Sequence, residues 1–265
     1  MKILRNISFG QYIPKDSIIH NLDPRIKILS CLVIIIALFL ITDFLGYAIL
    51  GTFIMIGIII SKVHPKFVFR GLRPILFIII FTLIIHLFMS EGKIIYQIGF
   101  LKVTEEGLIK GLLVACRLFI LILTTSLLTL ATSPISLTDG IERLLSIFRP
   151  IGIPAHEIAM MMTIALRFIP TLLEETEKIM KAQISRGADF ESGNILNRAK
   201  NLIPILIPLF VNAFRRADEL AIAMEAKCYR GGEGRTHFRS LKIRIVDIFT
   251  LSLISIITVI TSIMF

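Results

Sequence analysis

Five long apolar runs limit what this chain can fold into more than any other feature of its sequence. They comprise residues 26–42, 44–61, 75–89, 108–131 and 245–265. At about 1.5 Å per helical residue, each run is near the length that crosses a hydrocarbon layer of roughly 30 Å, although the run at 75–89 is short and requires some thinning of the bilayer. A soluble domain in which 55% of the residues are hydrophobic would precipitate. The sequence therefore predicts an all-α, polytopic membrane protein with about five transmembrane helices, and no strand is needed to explain the pattern.

The charged residues predict the orientation of these helices. The chain has 29 Lys and Arg against 19 Asp and Glu, and basic residues concentrate before residue 28 and between residues 62 and 73. Because basic loops remain in the cytoplasm, we expect the N-terminus inside the cell and the C-terminus outside. Such loops meet acidic membrane lipid, and this accounts for the net charge of +10 without a nucleic-acid partner.

The alternation of cytoplasmic and external loops divides the chain into three parts. Residues 1–131 form an N-terminal membrane part with four transmembrane helices, residues 132–244 form a cytoplasmic region, and residues 245–265 form the last transmembrane helix. The cytoplasmic region holds 16 basic and 12 acidic residues. Since it is long, amphipathic and rich in both charges, we expect it to carry the function.

The cytoplasmic region contains two apolar stretches, residues 158–173 and 202–214, which are short for spanning. The first includes Arg167, and the second includes two prolines. Apolar residues recur around both stretches at spacings of three and four, opposite a charged face. We interpret them as amphipathic helices along the membrane surface, preceded by a shorter helix over residues 137–148, so that about three such helices are predicted.

A repeated motif marks the predicted ends of the two longer helices. Residues 182–187 and 226–231 both read Ala-x-x-x-Arg-Gly. Capping is the simple explanation, since Gly past a helix end adopts the left-handed conformation and Arg suits the negative end of the helix dipole. Two copies also indicate two equivalent binding sites on a dimeric or pseudo-dimeric partner, to which an Arg fork would bind through carboxylates or carbonyls. The candidate coupling residues are Ser185, Arg186, Gly187, Tyr229, Arg230 and Gly231.

No set of residues in the sequence indicates an enzyme. The nearest match to a phosphate-binding loop, residues 231–236, lacks the first glycine, has Arg in place of Lys and follows a helix. His156 and Glu157 begin like a zinc motif, but Met160 stands where the second His is required. We therefore predict a non-catalytic chain without a cofactor of its own.

Two ionisable residues within the predicted spans, His86 and Arg117, support a second hypothesis. Such groups either make a structural polar contact inside the bundle or line a transport path, and the sequence leaves both open. The alternative function is a self-contained channel or secondary transporter, with a membrane-embedded enzyme as a third possibility. Gly107 and Gly111 form a GxxxG pattern, which is weak support for close helix packing because it lies at a helix start and contains Lys110.

Several motifs together resemble one family, the transmembrane coupling component, or T component, of energy-coupling factor transporters. The resemblance covers nearly the whole chain. Its motifs are Gly10-Gln11-Tyr12 with Leu22-Asp23-Pro24-Arg25, residues 165–170, residues 208–209 with 216–220, and both Arg-Gly ends. Where the family often has Ala before the Arg, this chain has Ser185 and Tyr229.

The resemblance implies a scaffold in the prokaryotic cell membrane, within a complex of four subunits. Its partners would be two ATPases of the ATP-binding cassette type, which bind ATP and Mg²⁺, and one membrane-embedded substrate-binding subunit, the S subunit. The substrate would be a vitamin, a related micronutrient or a transition-metal ion. The helix ends would bind the ATPases, and the apolar faces would dock the S subunit. The candidate docking residues are Met160, Met161, Phe210, Phe214 and Met224.

Overall fold

The structure, a computed structural model, describes residues 12–90, 92–98, 101–188, 190, 195–231 and 241–265. The described chain falls into two compact units, one with residues 12–141 and 241–265 and the other with residues from 142 to 231. The helix near the C-terminus therefore packs with the N-terminal helices. Gly10, Gln11 and most of the phosphate-loop match lie outside the described residues.

The first unit is a bundle of long apolar helices. Its members are α1 (Pro24–Leu40), α2 (Phe44–Ile60), α3 (Pro65–Met89), α4 (Glu105–Ala131) and α8 (Ile245–Met264). Helix α4 lies at the centre, in contact with α1, α2 and α3, while α8 packs on α1 and α2. The core includes Leu38, Leu50 and Leu123, each at most 1% exposed, and large apolar side chains on the outer faces remain uncovered, as expected for helices solvated by lipid.

Local sequence explains where these helices begin. Asp23 caps α1, because its side chain accepts a hydrogen bond from the backbone N–H of Arg25, and Pro24 occupies the first turn. Thr104 caps α4 by accepting from the N–H of Gly107. Within α4, the hydroxyls of Thr124, Thr125 and Thr129 donate to carbonyls one turn earlier, so that they are hydrogen-bonded inside the helix.

The glycines of the GxxxG pattern lie where α4 meets α3. A Cβ on Gly107 would lie 2.5 Å from the carbonyl oxygen of His86, and one on Gly111 would lie 3.3 Å from the His86 Cβ. The pattern was weak evidence by itself, but the close helix packing that it suggests is present in the structure. The two backbones approach closely because these positions have no side chain.

The second unit is built around two long amphipathic helices. Helix α5 (Pro134–Leu145) leads into it, a 3₁₀ turn (Ser146–Ile151) follows, and then come α6 (Ala155–Ser185) and α7 (Ile195–Ala226). The short helix was predicted over residues 137–148; it begins three residues earlier and changes to 3₁₀ geometry after Leu145. Pro170, Pro204 and Pro208 lie inside α6 and α7 without ending them.

Two expectations about the membrane part were wrong. The third apolar run is not a short span, because α3 has 25 residues and extends back through Pro74 to Pro65. Lys and Arg in its first turns conceal this part from a hydropathy scan, although both are good helix formers. The expectation that no strand is needed also fails, since β1 (Ile94–Ile98) and β2 (Leu101–Thr104) form an antiparallel hairpin before α4.

The all-α, multi-pass class is confirmed. Among the described residues, four helices are long and apolar enough to cross a membrane, namely α3, α4, α6 and α8, and α2 is a shorter apolar helix. Helix α6 has a mean hydropathy of 1.3, against 2.1 to 2.4 for the other three. The five-span prediction requires that α1 and α2, with 17 residues each, also cross and that α6 does not.

Candidate functional site

Helices α6 and α7 run antiparallel, and polar contacts align them along their length. Glu175 accepts a hydrogen bond of 2.6 Å from the Asn212 amide and forms a 3.4 Å ion pair with Arg216. Further along, the amide of Gln183 donates to the carbonyl of Pro204 at 3.4 Å. The C-terminal end of each helix therefore lies beside the N-terminal part of the other. The two ends are separated by more than 20 helical residues, on the order of 35 Å.

The first helix end is closed by Gly187. This residue has φ 86°, its N–H donates to the carbonyl of Ile184, and the N–H of Ala188 donates to that of Gln183. These two bonds define a Schellman motif in which Arg186 is the C-cap residue. Capping therefore describes this copy of the repeated motif as predicted. The Arg186 side chain is exposed, and no acidic group in the described part of the chain lies within salt-bridge distance of it.

The second helix end is closed three residues before its glycine. Cys228 has φ 55°, its N–H donates to the carbonyl of Glu225, and the N–H of Tyr229 donates to that of Met224. Cys228 thus takes the place that Gly187 occupies at the first end. The prediction that Arg230 and Gly231 cap α7 was wrong. Both lie beyond the cap, so that the two copies of the motif are not equivalent in structure.

A hollow of about 640 Å³ lies beside the second helix end. Its basic side chains are Arg167, Lys227 and Arg230, and among the residues that the structure describes no Asp or Glu lines it. The described residues that line it are Met160, Thr163, Ile164, Arg167, Met224, Lys227, Cys228, Tyr229, Arg230 and Gly231. A surface with three basic groups and no acid suits an acidic side chain from a partner.

The hollow brings together residues that the sequence analysis treated separately. Met160 and Met224, predicted to dock one partner, share it with Tyr229 and Arg230, predicted to contact another. The sequence analysis used Arg167 as a reason against spanning and within the motif at residues 165–170, but it did not name it as a site residue; its position on an otherwise apolar stretch was the available signal.

The exposed face of α7 carries an apolar stripe. Ile203, Ile207, Phe210 and Phe214 follow one another at spacings of three or four residues, and they are 48%, 60%, 62% and 69% exposed. On α6, Met161 is 59% exposed. The structure therefore places the predicted docking residues Phe210, Phe214 and Met161 on open surface. Met160 and Met224 are half-buried in the hollow.

The two ionisable residues within the spans make structural contacts. The Arg117 Nε donates to the Tyr47 hydroxyl at 2.9 Å, and its Nη2 donates to the Ile41 carbonyl at 3.4 Å. His86 Nδ1 lies 2.8 Å from the carbonyl oxygen of Thr82, one turn earlier in the same helix. Arg117 therefore ties α4 to the turn between α1 and α2. These contacts favour the structural explanation over a transport path.

The motif Leu22-Asp23-Pro24-Arg25 anchors α8 to α1. The Arg25 guanidinium donates to the Asp23 carboxylate at 2.7 and 3.0 Å, and the Asp23 N–H donates to Asp247 at 2.9 Å. Burial by itself raises the pKa of Asp23, but the hydrogen bonds and charge of Arg25 outweigh it and leave the pKa below its usual value. The motif is thus a buried connection between helices of one unit.

Metal-binding groups do not cluster in the part of the chain that the structure describes. Over the described ranges, no three His, Cys, Asp or Glu side chains are placed to hold an ion. Cys31, Cys116 and Cys228 are free thiols.

These features define an integral, helical, multi-pass membrane protein that carries a separate unit of amphipathic helices with exposed basic ends. A family model described as "Cobalt transport protein" matches residues 15–238. The chain is 58% identical over 245 residues to the energy-coupling factor transporter transmembrane protein EcfT of Thermosediminibacter oceani, with 92% of each chain covered. It is 54% identical over 264 residues to the EcfT of Clostridium kluyveri, with 99% of this chain and 97% of the relative covered.

A third relative, the EcfT of Bacillus subtilis, is 49% identical over 240 residues, which cover 90% of this chain and 91% of the relative. The chain therefore belongs to the family of energy-coupling factor transporter transmembrane proteins. Its relatives are named as transmembrane components of transporters, a class of subunit without a catalytic role.

Proposed function

We propose that this chain is the scaffold of an energy-coupling factor uptake transporter, with its N-terminus in the cytoplasm and its C-terminus outside. It transmits the movement of two ATPases of the ATP-binding cassette type to a membrane-embedded S subunit. ATP and Mg²⁺ are bound by the ATPases, and the chain itself holds no cofactor. The cargo is a vitamin, a related micronutrient or a transition-metal ion, the last in keeping with the cobalt transport named in the family description.

The observation that carries this proposal is the antiparallel arrangement of α6 and α7. It presents exposed Arg186 and Arg230 at opposite ends of one helix pair, which suits two partner subunits side by side. An Arg fork in a partner groove binds a carboxylate through two parallel hydrogen bonds, and partial desolvation strengthens them. When the two ATPases approach each other, the helix ends move with them.

The apolar stripe on α7 is the second part of the proposal. A contiguous exposed apolar surface in a folded protein marks an interaction site. We expect Phe210, Phe214 and Met161 to contact the S subunit, together with Met160 and Met224. Met side chains adapt to different partners because they are unbranched and polarisable. Movement of the helix pair would in this way reach the S subunit.

The ATPase contacts are tested by the variants Arg186→Ala, Arg230→Ala and the double variant, measured as retained ATPase subunits and as ATP-driven uptake in vesicles. Each single variant should weaken the complex by about 2–5 kcal/mol, because a partner carboxylate is left buried without its counter-charge. The double variant should release the ATPases or uncouple hydrolysis from uptake. Lys should substitute poorly at either position, since it lacks the planar fork.

Arg215→Ala is the matched control, because Arg215 is an exposed arginine on α7 away from its end. It should retain both ATPases and normal uptake. If the double variant assembles and transports like the Arg215→Ala control, the two arginines are not the coupling contacts.

The S-subunit contact is tested by Phe210→Asp and Phe214→Asp. Each change removes an exposed aromatic ring from the stripe and puts a charge in its place, so that docking of the S subunit should weaken by a few kcal/mol, as judged by co-purification. ATPase retention should be unchanged, since the stripe lies between the helix ends. Normal S-subunit binding by both folded variants would exclude this face as the docking surface.

A further inference from the structure

A cavity of about 260 Å³ lies inside the first unit, between α1, α2, α4 and α8. It is bordered by the first half of α1, the last turns of α2 and α4, and the first turns of α8, and the segment before α1 covers one side. It therefore lies at one end of the bundle. At this end the chain also carries the exposed Lys15 and Lys62, where Lys15 Nζ donates to the Lys62 carbonyl at 2.8 Å.

The walls of the cavity are apolar. They consist of Ile, Leu, Phe, Ala, Gly and Cys side chains with four exceptions, Lys27, Ser30, Thr124 and Thr250. The two threonine hydroxyls donate within their own helices, to the carbonyls of Ile120 and Val246. Apolar cavities of about 150 Å³ stay dry and bind hydrocarbon. A space of this size and composition therefore suits an alkyl chain better than water.

The two remaining polar residues lie on one face of α1 and have unused hydrogen-bonding capacity. Lys27 is 9% exposed, and its ammonium donates to the carbonyls of His20 and Ala131 at 2.9 and 3.0 Å, which leaves one of its three donors. Ser30, three residues later, is 8% exposed, and its buried hydroxyl has no partner within the described ranges. Such buried polar groups are nearly always hydrogen-bonded, so this pair indicates a ligand with acceptor oxygens.

The charge around Lys27 also favours an acidic ligand. The Asp23 carboxylate is held by Arg25, and the two oxygens of Asp247 accept from the backbone N–H groups of Asp23 and Arg244. Among the described residues, no carboxylate lies within salt-bridge distance of Lys27. Its buried ammonium thus forms no direct ion pair, and the carboxylates of Asp23 and Asp247 act on it only from beyond salt-bridge distance.

The cavity opens sideways rather than toward water. Ile56 and Ile60 on α2 and Phe249 and Leu253 on α8 line it and are between 40% and 67% exposed. Because these helices lie in the bilayer, the molecules that reach this opening are lipids.

We propose that the cavity binds one acidic phospholipid of the adjacent leaflet. One acyl chain fills the apolar space, the Ser30 hydroxyl donates to an ester carbonyl, and the Lys27 ammonium meets the phosphate. Lys15 and Lys62 add positive charge at the level of the headgroup. The bound lipid would contact all four surrounding helices, at the end of the bundle where Lys15 and Lys62 lie.

The test uses the fact that the chain contains no Trp. Phe53→Trp places a single fluorophore in the cavity wall, and Phe77→Trp, at a position on α3 that is 74% exposed, reports on ordinary surrounding lipid. The full-length variants are reconstituted into vesicles that contain phosphatidylglycerol or phosphatidylcholine with brominated acyl chains, which quench nearby Trp. At Phe53→Trp, brominated phosphatidylglycerol should quench at about fivefold lower mole fraction than brominated phosphatidylcholine, the effect of one basic residue. At Phe77→Trp the two lipids should quench equally.

Three further changes in the Phe53→Trp background identify the binding groups. Lys27→Met should reduce the preference for the acidic lipid to the smaller contribution of Lys15 and Lys62. Ser30→Ala should weaken quenching by both lipids about equally, and Gly57→Leu, which points a side chain into the cavity, should reduce quenching by both severalfold. If Lys27→Met does not fold, the other two variants still test whether the lipid occupies the cavity. Equal quenching by the two lipids at Phe53→Trp, or no quenching by either, would overturn the proposal, since the space would then hold unselected lipid, a protein partner or nothing.

Discussion

At the scale of the residue, the two Arg-Gly ends differ in which residue first adopts a positive φ. At the first end it is Gly187, and at the second it is Cys228. Gly187 and Gly231 both have φ 86°, and neither would bring an added Cβ within 4 Å of another group. Only Gly187 closes its helix, because Cys228 adopts the left-handed conformation first at the other end. The two motifs share one sequence pattern but have different local structures. Arg230 lies in a loop beyond the end of its helix, whereas Arg186 is part of a helix cap.

Gly107 shows how a missing side chain positions whole helices. An added Cβ would lie 2.5 Å from the backbone oxygen of His86, which cannot move without shifting α3. We expect Gly107→Ala to destabilise the protein by about 1–3 kcal/mol, in spite of the better helix propensity of Ala, because the helices must separate. Thermal unfolding of the purified protein in detergent measures the effect.

Gly51→Ala is the matched control for this variant. Gly51 is also in an apolar helix of the first unit, but the nearest group to its added Cβ, the Cδ1 of Ile120, lies 3.6 Å away at an ordinary contact distance. This variant should be as stable as the unchanged protein or slightly more stable. Equal stability of the two variants would show that α3 and α4 do not depend on the close approach.

At the scale of the element, α6 combines properties of a transmembrane helix and of an amphipathic surface helix. It has 31 residues, which is enough to span, but it carries Arg167 and, in its second half, a face with five charged residues. Its partner α7 has 32 residues and a similar pattern. Their shared polar contacts through Glu175 would lie at membrane depth if α6 crossed the bilayer, where such groups are unfavourable.

The location of α6 can be measured with single cysteines in a chain without Cys31, Cys116 and Cys228. A cysteine at Lys181, near the end of α6, should resist an impermeant thiol reagent in intact cells and react after the membrane is opened. One at Glu105, the first residue of α4, should react in intact cells, and one at Lys66 should behave like Lys181. Glu105 and Lys66 serve as controls, because both are exposed and lie at the starts of α4 and α3, which are long and apolar enough to cross a membrane. Labelling at Lys181 from outside would establish α6 as a transmembrane helix and remove the five-span arrangement.

At the scale of the whole molecule, the buried cluster around Asp23 connects residues more than 200 positions apart. Asp23 and Arg25 begin α1, while Asp247 belongs to the first turn of α8 and accepts the N–H of Asp23. The Leu241 carbonyl, from the segment before α8, accepts from Arg25 at 3.3 Å. The C-terminal helix is in this way held in the same unit as the N-terminal helices, although the second unit intervenes in the sequence.

The cluster predicts an acid-dependent loss of stability. Since the pKa of Asp23 is lower in the folded protein than its ordinary value of 3.8, the stability that it contributes is present above about pH 4 and is lost as the pH falls through the folded pKa. Asp23→Asn keeps the helix cap but loses the charge, and should lower the free energy of unfolding by about 1.5–3 kcal/mol at pH 7. Thermal unfolding between pH 6 and 3 should show a smaller further loss for Asp23→Asn than for the unchanged chain. Parallel losses in the two proteins would contradict the assignment.

Some of these features follow from sequence alone, because they depend on local chemistry. The bilayer needs long apolar helices, so residues 108–131 and 245–265 were predicted close to their observed bounds as α4 and α8. The three- and four-residue spacing of apolar side chains predicted both long amphipathic helices, and it predicted an apolar face that includes Phe210 and Phe214. The helix caps, the hydrogen bonds of the threonine hydroxyls and the left-handed conformation of Gly187 depend on groups only a few residues apart. Neighbouring residues in the sequence are therefore enough to indicate them.

Tertiary structure decided the features that depend on distant groups. Whether Arg117 lines a path or holds a carbonyl depends on the position of Ile41, and whether Gly107 matters depends on the backbone of His86. The hollow that joins Met160 to Arg230 exists only because α6 and α7 run antiparallel, and the cavity beside Lys27 and Ser30 requires four helices that sequence cannot place around one space. A helix can be read from its own residues because its hydrogen bonds are local, whereas a site is formed by side chains whose proximity arises only from packing.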